Sequence, residues 1–138
     1  MIGSLDFCAR RLIVHTSRSK TSADFIAHLE QLDLIYGPKP GRRRRPIVLV
    51  LDNGPVHLSK ASSAALQART HWLTVEWLPK YAPELNDIEI VWGLLKSGHL
   101  AHQTFADPEA LDRAIHAGVG KLNAERNRLA LGKQRISA

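Results

Sequence analysis

Apolar residues near the start of the chain fall into two short runs, residues 2–8 (IGSLDFC) and 11–17 (RLIVHTS), with a tight turn at Ala-Arg-Arg between them. This predicts a hairpin, and with neither Gly nor Asn at the turn its type stays open. From Thr21 the spacing changes: Phe25, Ile26, Leu29 and Leu32 recur at helical intervals. Thr21 stands three residues before Asp24 in a capping-box pattern, and Gly37 with Pro38 closes the helix. Residues 46–51 (PIVLVL) do not alternate at all. Such a continuous β-branched run predicts a central strand covered on both faces. Ser59 is placed to cap a short helix over residues 60–70, and its alanines permit close packing. Residues 71–78 (HWLTVEWL) alternate again, with Leu73, Val75 and Trp77 on one side and Trp72, Thr74 and Glu76 on the other, which predicts a strand.

After the irregular residues 79–85 (PKYAPEL), a helix is expected from Asn86, with Ile88, Val91, Trp92 and Leu95 as its apolar stripe. Another is expected from Asp107 with Pro108 in its first position, carrying Leu111, Ile115, Val119 and Leu122 and weakened by Gly118 and Gly120. Residues 123–138 read as a basic tail that frays. The order strand, strand, helix, strand, helix, strand, helix, helix belongs to a mixed α/β sheet. With 138 residues, no repeat and no linker, one domain built on one core is the expectation for residues 1–138.

Composition narrows the function classes. No apolar run approaches the roughly 20 residues that span a bilayer, and the N-terminus lacks the order of a secretory signal, so a cytoplasmic, nucleoid-associated protein without membrane contact is expected. The single Cys8 cannot form an internal disulfide and reads as a small buried side chain. Nineteen Lys and Arg against thirteen Asp and Glu give a formal charge of +6. A polyanionic partner fits, since each phosphate neutralised releases counterions. The densest basic block, Arg42, Arg43, Arg44 and Arg45, is either a DNA-contacting loop or a solvated one.

Two carboxylates stand out. Asp52 ends the apolar strand and is followed by Asn53, Gly54, Pro55 and, at the sixth position of the run, His57. Asn-Gly between apolar segments is a hairpin signal. Pro55 cannot donate to a ladder, however, and residues 56–66 read as a loop entering a helix. In open α/β sheets, functional groups collect beyond the carboxyl ends of strands, where Asp52 would sit. Glu89 lies off the apolar stripe of its helix, with Lys96 nearly two turns later on the same face and Gly93 leaving an open surface between them for a phosphate or metal. Glu89 has a plain alternative: with Asn86 as cap it becomes the third helical residue of a capping-box arrangement, and no catalysis is needed.

The segments LDNGPVHLS (residues 51–59) and LPKYAPELNDIEIVWGLLK (residues 78–96) resemble the DDE transposase family, specifically bacterial insertion-sequence transposases of the Tc/mariner superfamily. The family motifs are D-N-x-x-x-H at a strand end and L-P-x-Y-x-P-x-L-N-P-I-E-x-x-W-x-x-L-K downstream. A looser likeness runs through residues 3–32. The resemblance implies an RNase H-like fold, with Asp52 as the second acidic residue of the catalytic triad and Glu89 as the third, thirty-six residues lying between them. The motifs also carry Asn53, His57, Asn86 and Lys96, which makes these supporting residues. Lys80 and Lys96 join the arginine block as candidate DNA contacts. One departure is local: Asp87 stands where the family has proline. A carboxylate there suits the helix dipole and adds a negative charge near Glu89.

The chemistry that the resemblance implies is in-line attack on phosphorus in DNA. Carboxylates hold two Mg²⁺ or Mn²⁺ ions, which act on the attacking and leaving oxygens. The family's first aspartate lies on a strand upstream of a segment that matches residues 3–6, so Asp6 is not its equivalent. The chain is therefore expected to lack the family's first, central strand and to be an incomplete or split catalytic domain, defective on its own. It is also expected to lack the helix-turn-helix module that reads transposon ends. The expected partners are transposon-end and target DNA, further copies of the chain, and a complementing N-terminal half. The rival reading is a catalytically inactive remnant, a basic DNA-binding or interaction module without a complete metal site.

Overall fold

A computed structural model describes residues 1–43 and 45–125. Arg44 and residues 126–138, which include most of the expected tail, lie outside the described residues. The chain divides into two compact units, one formed by Met1–Ile2 with Ser19–Leu85, the other by Gly3–Arg18 with the chain from Asn86 onward.

In the first unit, helix α1 (Ser22–Tyr36) starts at the expected capping box: the Thr21 hydroxyl accepts from the Asp24 N–H at 3.4 Å, and an Asp24 carboxylate oxygen accepts from the Thr21 N–H at 2.7 Å. Its buried face, Phe25, Leu29 and Leu32, belongs to the core of this unit, in which Leu51, Leu66 and Trp72 are also buried. Strand β3 (Ile47–Leu51) pairs in parallel with β4 (Leu73–Trp77), Ile47 opposite Leu73 and Leu51 opposite Trp77. Helix α2 is a single short turn (Pro55–Leu58), and α3 (Lys60–Gln67) follows at once, capped as expected by Ser59, whose hydroxyl accepts from the Ser62 N–H at 3.1 Å. The α1 and α3 helices are tied by Arg69, whose Nε and Nη2 grip the Asp33 carboxylate at 2.6–3.0 Å.

One expectation fails here. β3 is not covered on both faces: its outward residues Val48 and Val50 are 59% and 54% exposed, and β4 is its sole partner among the described residues. A run of Ile, Val and Leu reports strand propensity, but it carries no information about how many layers are stacked on the strand.

β1 (Ile2–Asp6), which belongs to the second unit from Gly3 onward, and β2 (Arg11–His15) form a separate two-stranded sheet, so the expected mixed sheet is realised as two small sheets flanked by helices. The turn between them has no glycine. Arg10 takes the left-handed conformation (φ 52°), and Asp6 Oδ1 accepts from the Ala9 N–H at 2.8 Å, doing locally what a turn glycine or asparagine would do. Cys8 lies exposed in this turn, which corrects its expected burial: the strand ends two residues before it.

Helix α4 (Ile88–Leu95) buries Val91 and Leu95 on its expected stripe and runs into one wider π-type turn, residues 96–100. Helix α5 (Pro108–Ala124) is capped by Asp107, whose carboxylate accepts from the Ala110 N–H at 2.7 Å. It reaches into the segment assigned to the tail, for Asn123 donates to the Leu12 carbonyl at 2.9 Å and accepts from the Leu12 N–H at 2.7 Å. The amide thus acts on β2 as an adjacent strand would. Gly118 also has a positive role: a Cβ there would stand 2.8 Å from Leu95 Cδ1 and 3.0 Å from His99 Cβ, so its bareness lets α5 approach α4 and the π turn.

Candidate active site

Asp52 is the first residue past the carboxyl end of β3, and the next residues fold back beneath it. Its Oδ1 accepts two hydrogen bonds, from the Gly54 N–H at 2.9 Å and from His57 Nδ1 at 2.7 Å. A carboxylate can only accept, so the His57 tautomer at this contact carries its proton on Nδ1. The first bond is an Asx turn. A Cβ on Gly54 would lie 2.9 Å from that same oxygen, so only glycine leaves the carboxylate this position without displacement. His57 itself is largely buried, with its ring 4.7 Å from that of Phe25 and tilted by 54°. Pro55 opens the α2 turn that carries it, and α1 supplies the aromatic wall.

Asn53 points the other way along the sheet end. Its Nδ2 donates to the Leu78 carbonyl at 2.6 Å, while the Leu78 N–H donates to the Leu51 carbonyl at 2.8 Å. The exits of the two parallel strands are therefore locked together, and the segment 78–85 leaves from the same end of the sheet as Asp52. Lys80 is exposed on that segment, followed by Tyr81 and a short 3-10 turn, Pro83–Leu85. Arg42, Arg43 and Arg45 are all exposed in the loop before β3, and Arg44 lies outside the described residues.

Glu89, Asn86 and Lys96 belong to the second unit. The helix there starts later than expected, at Ile88, with Asp87 as the N-cap and no side-chain capping bond. Bonds from the Glu89 N–H to the Asn86 carbonyl (3.1 Å) and from the Ile90 N–H to the Asp87 carbonyl (3.2 Å) close a tight three-residue entry turn. Asn86 consequently lies outside the helix and Glu89 is its second residue, so the capping arrangement that would have explained Glu89 does not form. Glu89, Gly93 and Lys96 are exposed along one side of the helix, and a Cβ on Gly93 would meet nothing within 4 Å. That side is as open as the spacing predicts.

The strand-end carboxylate suits a hard divalent cation. Oδ1 of Asp52 is engaged, its side chain is half exposed, and Oδ2 takes no hydrogen bond among those described. Mg²⁺ is commonly held by only one or two carboxylates with waters and substrate phosphates, so such a donor fits it. Among the described residues no group of three or more His, Cys, Asp or Glu side chains forms a ready-made cage.

Sequence reasoning overlooked Phe25 and Gly54 as neighbours of the Asp52 site. Phe25 registered only as a core residue of α1, and Gly54 only as part of a turn. Nothing in the local pattern marks Phe25 as a support for His57, because that contact crosses from α1 to α2, whereas the Gly54 contact is a local Asx turn for which the Asp-Asn-Gly run was a signal.

Comparisons with known proteins give the family and the fold. Residues 1–112 match the model of the DDE superfamily endonuclease family. Among solved structures, the fold is similar to a chain of the simian T-cell lymphotropic virus intasome, determined by cryo-electron microscopy in complex with the PP2A regulatory subunit B56 gamma. The TM-score is 0.66 at 16% identity, covering 99% of this chain and 49% of that one. This chain thus spans about half the length of that neighbour, and the likeness establishes an RNase H-like fold. No curated protein matches the chain. Because the matched residues 1–112 include both the Asp52 strand end and the Glu89 helix, the chain belongs to the DDE superfamily endonuclease family.

Proposed function

We propose that this chain serves DNA transposition as part of a DDE transposase catalytic domain of the bacterial insertion-sequence type, in metal-dependent cleavage and transfer of DNA strands. The observation that carries the reading is the Asp52 carboxylate, fixed at Oδ1 by the Gly54 N–H and His57 Nδ1 just past the end of a parallel strand. A carboxylate built only to cap a turn would not need a largely buried histidine behind it. Asp52 and Glu89 are the metal-holding carboxylates in this reading and supply two of the family's three; no residue of the chain is assigned the first.

Asp52 would offer Oδ2 to Mg²⁺ or Mn²⁺ while its other oxygen is held still, and Glu89 would offer a carboxylate that no cap consumes. When bound, a pair of such ions activates the attacking oxygen and stabilises the leaving one in an in-line displacement at phosphorus. His57 holds the Asp52 carboxylate in one orientation, and Asn53 holds the exits of β3 and β4 together. Arg42, Arg43, Arg45, Lys80 and Lys96 neutralise backbone phosphates of transposon-end and target DNA.

The rival, a basic DNA-binding module without a working metal site, draws on the absence of a three-ligand cluster among the described residues. A Mn²⁺ titration followed by thermal stability separates the two. Stabilisation that disappears in both Asp52→Asn and Glu89→Gln supports the transposase reading. Indifference to Mn²⁺, together with unchanged DNA affinity in both variants, supports the module. The companion assay is Mn²⁺-dependent nicking of supercoiled DNA, which the transposase reading expects Asp52→Asn to abolish.

A further inference from the structure

We infer that the free edge of β3 is a self-complementary seam, at which two copies of this chain pair antiparallel about a two-fold axis at Leu49 and each brings its basic loop to the Asp52 end of the other. The Ile47 N–H donates to the Trp72 carbonyl at 3.0 Å, and the Leu51 carbonyl accepts from the Leu78 N–H at 2.8 Å. Both ends of β3 thus turn their odd-numbered residues toward β4, and in a regular parallel ladder Leu49 does the same. The N–H and C=O groups of Val48 and Val50 face the opposite edge, where no strand pairs with β3 among the described residues. These two residues also carry the exposed side chains of the strand. Folded proteins ordinarily guard such an edge with a charge, a bulge or a covering segment, yet Ile47–Leu51 carries no charged residue.

The edge is complementary to itself. With the axis at Leu49, Val48 of one copy lies opposite Val50 of the other and the two exchange both of their hydrogen bonds, while Leu49 faces its own counterpart at a pair that needs none. A slip of one residue would set each free group against one already committed to β4. The pairing stops where the sequence allows it to stop. Pro46, which has no N–H to give, falls opposite Asp52, whose carbonyl already lies 3.3 Å from His57 Nδ1. Charge agrees with this register. The loop before Pro46, with Arg42, Arg43 and Arg45 exposed, is brought to the end of the strand where the other copy carries Asp52. Opposite charges therefore meet at both ends of the seam, and the second copy contributes cations to a carboxylate whose Oδ2 takes no hydrogen bond among those described. A five-residue edge buries little area, so the association is weak and set by concentration.

The test uses the full chain without DNA or metal, so its outcome is separate from that of the proposed function. In sedimentation equilibrium, wild type should show monomer and dimer in exchange; a single monomeric species up to about 1 mM would overturn the seam. Val48→Lys with Val50→Glu sets opposite charges directly across the axis. At low salt this variant should dimerise about tenfold more tightly than Val48→Lys with Val50→Lys, which sets like charges there, and equal affinities would overturn the inference. Both positions are exposed, so neither variant disturbs the core. Cross-linking reads the register. On a Cys8→Ser background, chains with Val48→Cys and chains with Val50→Cys, mixed and mildly oxidised, should join to one another, because a directly opposed pair has Cα atoms about 5.5 Å apart. Either kind alone should not cross-link, since its counterparts stand two residues out of line, beyond the roughly 7 Å that a disulfide bridges. Efficient cross-linking of one kind with itself, or a dimer that cross-links in no combination, would overturn the seam. Replacing Arg42, Arg43 and Arg45 together by alanine should weaken the dimer about fivefold at low salt. Net charge alone predicts the reverse for a chain of +6, so a tighter or unchanged dimer would overturn the meeting of the basic loop with Asp52.

Discussion

His57 Nδ1 and Asp52 Oδ1 lie 2.7 Å apart, and the histidine that makes this contact is held from behind by the ring of Phe25 in α1. One oxygen of the carboxylate is therefore committed to the protein, and the contact defines which way the other oxygen faces. Such outer-sphere contacts to ligating groups typically matter 10- to 100-fold in metal affinity.

His57→Leu is expected to weaken Mn²⁺ binding by roughly tenfold or more, through the loss of a hydrogen bond that orients the ligand. His57→Asn restores a donor near the position of Nδ1 and should recover part of the loss. Mn²⁺ titration by electron paramagnetic resonance measures both. A merely packing role for His57 predicts the reverse order, with the apolar Leu variant the better binder.

Gly54→Ala tests the same carboxylate from the other side. The added Cβ would lie 2.9 Å from Asp52 Oδ1, so the carboxylate must rotate away from the Gly54 N–H. Mn²⁺ affinity should fall with little change in unfolding midpoint, since φ at Gly54 is −61° and open to alanine. Unchanged Mn²⁺ binding in this variant would mean that the Oδ1 contact does not govern the ligand geometry.

Glu89→Gln should leave stability within about 0.5 kcal/mol of wild type, because this carboxylate caps nothing. Thr21→Ala, which dismantles a capping box that does form, should cost about 1 kcal/mol. Urea denaturation of the two variants side by side measures the contrast. A large loss in Glu89→Gln would return that residue to a structural role.

Gly3→Ala should destabilise the second unit by roughly 1–3 kcal/mol, as overpacking does. Its Cβ would stand 2.5 Å from Trp92 Cη2 and 2.9 Å from the Ile13 carbonyl oxygen, leaving the indole no room over the β1–β2 sheet. The paired variant Gly3→Ala with Trp92→Leu should recover part of the loss in thermal denaturation.

Replacing Arg42, Arg43 and Arg45 together by alanine should flatten the dependence of log affinity on log salt by up to about three ion equivalents, if each contacts one phosphate of duplex DNA. Fluorescence anisotropy over a salt series measures the slope. An unaltered slope would make the block a solvated loop.

Much of the architecture was legible locally. The Thr21–Asp24 box, the Ser59 cap, the Asp107–Pro108 start and the stripe of Val91 and Leu95 all involve residues within two helical turns of each other, and their spacing alone implies the geometry. The pattern predicts a helix from Asn86 whereas α4 starts at Ile88, because Asn86 and Asp87 are both good caps in isolation and the tight turn through residues 86–90 decides between them. In the same way, Gly118 reads as a weak point in a helix until the neighbouring π turn shows why a side chain has no place there.

What the order of residues determined unaided is therefore the list of elements, their caps, the basic charge and the two motif carboxylates, because these depend on groups close together along the backbone. Tertiary structure decided that β3 stays open on one face, that Asn123 bonds to Leu12 across 111 residues, and that His57 turns onto Asp52 against Phe25. Each of these depends on the meeting of groups from different elements, and a backbone pattern of period two or three and a half does not encode which faces will meet.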